Sequence, residues 1–480
     1  MRQQQKTLNQ KDIISELPHE ILSQVISLLP LKEAVRTSVL SKSWILKWTA
    51  HMYIVCDVSL LGLSPDEAKS VELIGRGEKH KFIKLVDHIM QKRCNGTKMN
   101  SFLIRFPLSR KEESHITSWI SNAVMMGVET INLDLSGACT NIILESSRGR
   151  GGITDWKYTF PFSVQTVLGK ACVVKHLRLA SCGLRFLSPL NSLASLISVE
   201  LRSVIFSSEQ LDEILCSCWF LERLILNCCP HLVNFKLTRR KSRLRILSFK
   251  LCDRLKTVEL DADNLEIFEY TAMYSCYIDG FSFNHVPKLT GLYLWFCGTH
   301  KCLVDKAIGA LFRITNDMPA LQTLNIWFFS TTMLPEEVPK FTRIVHLVLA
   351  VRPLDGNDKL ECISYILKAF PLLRKLQLNQ YISSPQKLIE VDIPQVVHEN
   401  LRELEINGYH GSQREVDLLK YLVNSAVKLE FLVISPRVKV YEGFSDWYYQ
   451  EVSCNKLSSE KIKELHSLVP KAVTVKYCNL

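Results

Sequence analysis

Apolar side chains recur along the middle of this chain at offsets 0, 3, 5 and 8. The copies are Val174-Leu177-Leu179-Cys182, Leu196-Val199-Leu201-Val204, Leu221-Leu224-Leu226-Cys229, Leu244-Leu247-Phe249-Cys252, Leu265-Phe268-Tyr270-Met273 and Leu289-Leu292-Leu294-Cys297, with starts separated by 22, 25, 23, 21 and 24 residues. Weaker copies begin at Val128, Leu321, Ile344, Leu373, Leu401 and Leu429, the later spacings stretching to between 23 and 32. A fixed period of this size belongs to a stacked repeat, in which each unit buries its apolar face only against its neighbours. Each copy predicts one short strand whose offset-3 and offset-5 side chains enter the core, while the ninth position turns the chain away. The expected fold is an α/β solenoid with parallel strands.

The N-terminal pattern has helical spacing instead. Residues 17–30 place apolar groups at 21, 22, 25, 26, 28 and 29, a wide sticky face on a single helix. Pro18 suits a first helical turn and Pro30 ends the helix. Leu31, Ala34, Val35 and Ser38 share one side of a second segment, and Ser41 can cap a third helix carrying Trp44, Ile45 and Trp48. Three short helices make a poor core alone, so this unit is expected to lean on a partner. Residues 1–11 read as disordered and 12–52 as the helical module. The stretch 53–127 reads as a linker region with degenerate early repeats. The array runs from 128 to 397, with an exposed loop at Ser147-Arg148-Gly149-Arg150-Gly151-Gly152. From His398 to about residue 470 the order strand, turn, amphipathic helix, strand predicts one more unit, which caps the exposed core of the array.

Composition narrows the class without choosing a function. The 480 residues are 47% hydrophobic and 22% charged, as in a globular chain with a real core. The formal charge of +11 comes from 59 basic residues scattered among 48 acidic ones, which favours a solvated mixed-sign surface over a nucleic-acid site. The polar opening Met1-Arg2-Gln3-Gln4-Gln5-Lys6 is not a secretory signal, and no apolar run is long enough for a membrane span. The expected location is intracellular, nuclear or cytoplasmic. In that setting the 16 cysteines should be free thiols. No pair of C-x-x-C units stands at zinc spacing. Cys182, Cys229, Cys252 and Cys297 instead occupy the ninth repeat position, where a small buried hydrophobe is wanted.

The string Leu17-Pro18-x-Glu20-Ile21-Leu22, then Ser27-Leu28-Leu29-Pro30, then Lys32 through Ser41-Lys42-x-Trp44 and Trp48 resembles the plant-type F-box, with Ser43 where that motif often has Arg. The repeats resemble the irregular, cysteine-bearing leucine-rich repeats found behind F-boxes. The segment from His398, with Gly408 and Gly411 at its turn, is similar to the FBD unit that ends many such proteins. The resemblance to the plant F-box/FBD/LRR family implies a non-catalytic substrate-recognition subunit of an SCF-type ubiquitin ligase. In that reading Leu17, Pro18, Ile21, Leu22, Leu28, Leu29, Pro30 and Val35 pack against a Skp-family adaptor that bridges to a cullin. The alternative is that these residues fill an internal helical core. The interface reading is favoured at Leu17 and Pro18, whereas Trp44 and Trp48 suit a core at least as well.

Strand alternation also predicts a target face. If offsets 3 and 5 are buried, offsets 4 and 6 line the concave side. Offset 6 runs Ala180, Arg202, Asn227, Lys250, Thr271, Trp295 and Trp327, and offset 4 includes Arg178, Glu200, Ser248, Glu269 and Tyr293. Exposed aromatic rings beside basic side chains are typical of interface hot spots. Arg202, Lys250, Tyr293, Trp295 and Trp327 are therefore the expected target contacts. Trp295 and Trp327 should be neighbours if no repeat intervenes. The alternative is that the 32-residue spacing between these two repeats hides a register change, or that a loop covers the rings. Phosphate loops, nucleophile elbows and H-E-x-x-H are absent from the sequence, so no catalytic residue, metal or cofactor is expected. Two other functions stay open: an F-box interaction module outside any ligase, and a small-molecule or hormone co-receptor using the concavity.

Overall fold

A computed structural model of the chain describes residues 17–29, 31–40, 44, 47–64, 75–93, 98–136, 158–161, 173–185, 194–238, 241–272, 280–296, 315, 318–328, 340–351, 358–380, 395–443, 446–450 and 459–478. The expected disordered stretch 1–11, the glycine-rich loop at 147–152, Pro30 and Cys297 lie outside these residues. The chain divides into two compact units, residues 1–206 with 216–220, and residues 207–215 with 221–480.

In the first unit, short helices His19–Ser27 and Leu31–Arg36 precede parallel strands Tyr53–Cys56, Ser101–Arg105, Thr130–Asp134, His176–Ala180 and Ser198–Arg202, paired in that order. Between the first three strands run helices Arg76–Arg93 and Glu113–Met125. Residues 53–127 thus contain strand–helix repeats, and their weak sequence signal has a structural cause. The helical apolar spacing of these two helices takes up a large part of the segment and dilutes the strand pattern. The two helices are clamped by Asp87, whose carboxylate accepts from Trp119 Nε1 at 2.7 Å and pairs with His115 at 3.0 Å.

In the second unit, ten strands pair parallel: Arg223–Asn227, Ile246–Lys250, Ile267–Ala272, Gly291–Phe296, Thr323–Phe328, His346–Val351, Lys375–Gln380, Glu403–Asn407, Phe431–Ser435 and Thr474–Tyr477. Their registers align every copy of the repeat at the same position. Leu224 and Leu226 match Leu247 and Phe249, then Phe268 and Tyr270, then Leu292 and Leu294, and all are buried. This is the predicted parallel-stranded solenoid of offset-3 and offset-5 side chains.

Two features were not read from the pattern. The repeats that begin at Leu221, Leu244 and Leu265 carry a second, three-stranded parallel sheet, Asn234–Leu237, Thr257–Asp261 and Phe281–His285. Its phenylalanines close the core edge-on, with Phe235 at 5.0 Å from Phe249 and Phe283 at 5.1 Å from Phe268. Longer repeats use helices Asp358–Ala369 and Gln413–Ser425 in place of such strands. A helix advances about 1.5 Å per residue and a strand about 3.3 Å, so covering the same height with helix takes more residues. That accounts for the stretched spacing after residue 344.

The turn-away at the end of the strand has a specific geometry. The eighth position adopts a left-handed backbone at Ser181, Ser203, Cys228 and Leu251, with φ between 51° and 57°. Such a conformation costs a non-glycine residue about 1–2 kcal/mol. In return, the N–H groups of Ser181, Cys228 and Leu251 bond the carbonyls of Arg202, Lys250 and Thr271 in the next repeat. The kink then drops the ninth residue inward, and Cys182, Cys229 and Cys252 are all buried. The Cys252 thiol donates to the Leu226 carbonyl of the preceding repeat at 3.4 Å. A cysteine there is both small and a weak donor.

Candidate interaction surfaces

The N-terminal helix His19–Ser27 has two apolar faces. Leu22, 2% exposed, and Ile26 turn inward with Leu31, Ala34, Trp44 and Trp48. His51 Nε2 lies 2.9 Å from the Leu29 carbonyl and ties the end of this module to its start. Leu17, Ile21, Val25 and Leu28 face out, with Leu28 at 86% exposed. Their spacing of four, four and three residues draws one stripe along the helix. Val39 and Leu40 add two more exposed side chains beyond Arg36.

Leu22 therefore requires a correction, because it belongs to the module's own core and not to its apolar surface. Leu29 and Val35 are half-buried. Leu17, Pro18, Ile21 and Leu28 are exposed as expected. Val25, Val39 and Leu40 were missed. For Val25 the signal was available, since it stands four residues from Ile21 on the face opposite Leu22.

The proposed target residues fall in both units. In the first, Arg202 Nη2 bonds Asp134 at 2.7 Å and Ser136 at 3.0 Å. The register Asp134↔Ala180↔Arg202 shows how. Ala180 is small enough for Arg202 to reach across an intervening strand. The guanidinium is thus spent on an internal pair, beside a second ladder pair, Arg178 with Glu200 at 3.1 Å.

In the second unit, Trp295 and Trp327 are register partners and stack at 3.9 Å with an interplanar angle of 6°. The expected adjacency is present. Their exposure is not, because Trp327 is 7% exposed and packs with Ala350, Val438 and Val440, with Trp295 alongside. The covering residues come from an antiparallel hairpin, Val438–Gly443 paired with Asp446–Gln450. Tyr441 stacks on Tyr293 at 4.9 Å and 6°, and its hydroxyl donates to Glu269. Buried Glu269 also accepts from Ser248 at 2.8 Å and lies 4.0 Å from the Lys250 ammonium.

Further along the same face, Asn379 accepts from Gln377 and Asn407, and Glu405 accepts from Asn407 and from Lys439 of the hairpin at 3.1 Å. The aromatic side chains read from strand alternation therefore lie together, but under a roof. Nothing in the periodicity pointed to the roof, because the hairpin interrupts the repeat after Ser435.

Among the described residues no group of three or more His, Cys, Asp or Glu side chains is placed to hold a metal ion. Burial pushes the Cys56 and Cys218 thiols up to about 12, so neither supplies a thiolate near neutral pH. No helix of the described residues is long and apolar enough to cross a membrane.

Residues 14–49 match the F-box domain profile, and residues 89–475 match the profile described as At1g61320/AtMIF1, LRR domain. The chain belongs to this leucine-rich-repeat family and carries an F-box. Similar proteins of Arabidopsis thaliana align with most of the chain. At3g59240, which bears the name F-box/FBD/LRR-repeat protein, is 24% identical over 94% of this chain and 90% of its own length. F-box/LRR-repeat protein At2g42730 is 24% identical over 89% of this chain and 92% of its own. F-box/LRR-repeat protein At1g06630 is 25% identical over 89% and 98%. F-box/LRR proteins are typically interaction modules without catalysis, and F-boxes in general bind Skp1-like adaptors.

Proposed function

We propose that this chain is the substrate-recognition subunit of an SCF-type cullin-RING ubiquitin ligase. The exposed face of its N-terminal module docks a Skp-family adaptor, and the concave face of the repeats holds a protein target. Ubiquitin transfer is then the work of other subunits, and this chain raises the effective concentration of the target beside them.

The observation that supports this most is the set Leu17, Ile21, Val25 and Leu28, four large apolar side chains left in solvent along one helix of an F-box and at its two ends. A contiguous exposed apolar patch marks an interaction site. The small inner cluster behind it, Leu22, Ile26, Ala34, Trp44 and Trp48, fits a module that completes its core on a partner.

Co-purification of the full chain with a Skp-family adaptor tests the docking step. The paired substitution Ile21→Asp, Leu28→Asp should abolish capture while leaving the circular dichroism spectrum unchanged. An adaptor that binds the double variant as it binds the wild type would refute this assignment.

A further inference from the structure

The hairpin that roofs the second unit lies across the parallel strands instead of extending their ladder. Followed from its start, Lys439 bonds Glu405, Val438 and Val440 pack on Trp327 and Ala350, Tyr441 lies on Tyr293 and reaches Glu269, and Gly443 comes against Lys250. The sheet partners step backwards across a seven-strand stretch of the array, from Glu403–Asn407 to Ile246–Lys250. At Gly443 the backbone has φ of 116°, and a Cβ there would meet the Lys250 ammonium at 2.2 Å. The Lys250 tip could swing aside, so it is the positive φ that favours glycine here.

Two properties mark the roof as a stand-in for something else. A lone two-stranded hairpin is marginally stable in water, so this one depends on the face it covers. It also covers that face imperfectly. Asn325 is 6% exposed, yet its Nδ2 is buried without a hydrogen-bond partner among the described residues, and the same holds for Trp295 Nε1. Each orphaned donor costs about 1–3 kcal/mol. Both groups are donors on adjacent strands, through the registers Tyr293↔Asn325 and Trp295↔Trp327. What they lack is an oxygen acceptor.

We propose that the hairpin is a displaceable internal occupant of a peptide site, and that its first strand, Val438-Lys439-Val440-Tyr441, displays the pattern of the segment that replaces it. That segment is extended, with an apolar–basic–apolar–tyrosine order, and it brings carbonyl oxygens to Asn325 Nδ2 and Trp295 Nε1. Its basic group takes the place of Lys439 on Glu405, and its tyrosine that of Tyr441 on Tyr293 and Glu269. Such a site deepens the reading that a protein target is held on the concave face, and it rests on that reading. The tethered hairpin competes at an effective concentration of roughly millimolar, so free segments must outbind it or meet it loosened.

The test uses the full chain in complex with its adaptor and a fluorescein-labelled peptide Arg-Val-Lys-Val-Tyr-Glu-Gly, with a scrambled peptide as control. Lys439→Ala with Tyr441→Ala loosens the hairpin without touching the sheet, and should raise peptide affinity by about tenfold or more, as expected when an internal competitor is weakened by about 1.4 kcal/mol. Tyr441→Phe keeps the stack on Tyr293, removes only the hydroxyl, and should give a smaller rise. Hydrogen exchange of the wild type should run at least about 100-fold faster in 438–450 than in 323–328, the signature of local opening. Exchange in the hairpin as slow as in Thr323–Phe328, or equal affinity of the wild type and the loosened variant for both peptides, overturns the proposal. Adaptor binding is read in the same samples. Its loss alongside intact peptide binding would sink the ligase reading and leave the peptide site standing.

Discussion

The N-terminal helix and the aromatic face of the second unit carry comparable apolar side chains under opposite conditions. Leu17, Ile21, Val25 and Leu28 stand in water, whereas Tyr293, Trp295 and Trp327 are covered by the chain's own hairpin. An open apolar stripe binds whatever fits it whenever that partner is present. A roofed one is silent until the roof moves. In the proposed reading, the contrast separates a surface for constitutive docking from one whose access is conditional, and it can be pressed experimentally.

The largest effect is expected at the open surface. Ile21→Asp with Leu28→Asp should weaken adaptor binding by about 100-fold or more, as for removal of central interface anchors, with a melting temperature near that of the wild type. Leu22→Ala is the sharpening control. It opens a cavity worth about 2–5 kcal/mol, so thermal denaturation should report a destabilised F-box alongside any loss of binding.

At the roofed region, Gly408→Val should be severe. The glycine has φ of 76° and a Cβ would lie 2.2 Å from the Gln380 carbonyl oxygen. Chemical denaturation should show a loss of about 3 kcal/mol or more for a β-branched residue forced into that conformation and contact.

A smaller change is expected at the repeat turns. Cys252→Ala removes a buried thiol and its bond to the preceding repeat, and should cost about 1 kcal/mol in the same assay.

The smallest effect is a pH dependence. Burial, followed by the charge of Lys375, holds His346 below its usual range, although Glu405 and Glu403 pull the other way and Lys439 adds to the depression. The unfolded chain therefore binds the proton more readily, and stability should fall as pH drops below about 6.5. His346→Asn should flatten that slope, measured as melting temperature against pH.

How much of this was readable beforehand follows from which interactions have a period. Leu224, Leu226, Leu247 and Phe249 recur because every repeat asks the same question of the same position, so strand register and even the Trp295–Trp327 adjacency could be read from spacing alone. The N-terminal stripe was half legible. Helical spacing identified a wide apolar face, but Ile21 and Leu22 are sequence neighbours that point to opposite sides, and only packing reveals which side the core occupies. Arg202 looked available because its partner Asp134 lies two strands away, a pairing permitted by the small Ala180 between them. The hairpin was invisible for the opposite reason. Val438-Lys439-Val440-Tyr441 is a single insertion with no second copy, and its destination over Trp327 and Tyr293 is a tertiary choice without a local signature.

Hydrogen exchange of the full chain with and without a purified Skp-family adaptor tests the division of labour most directly. Protection should appear within residues 17–40 and leave the strands from Ile246 to Ser435 at their free-chain rates. Protection spread over those strands, or none within 17–40, would contradict the account.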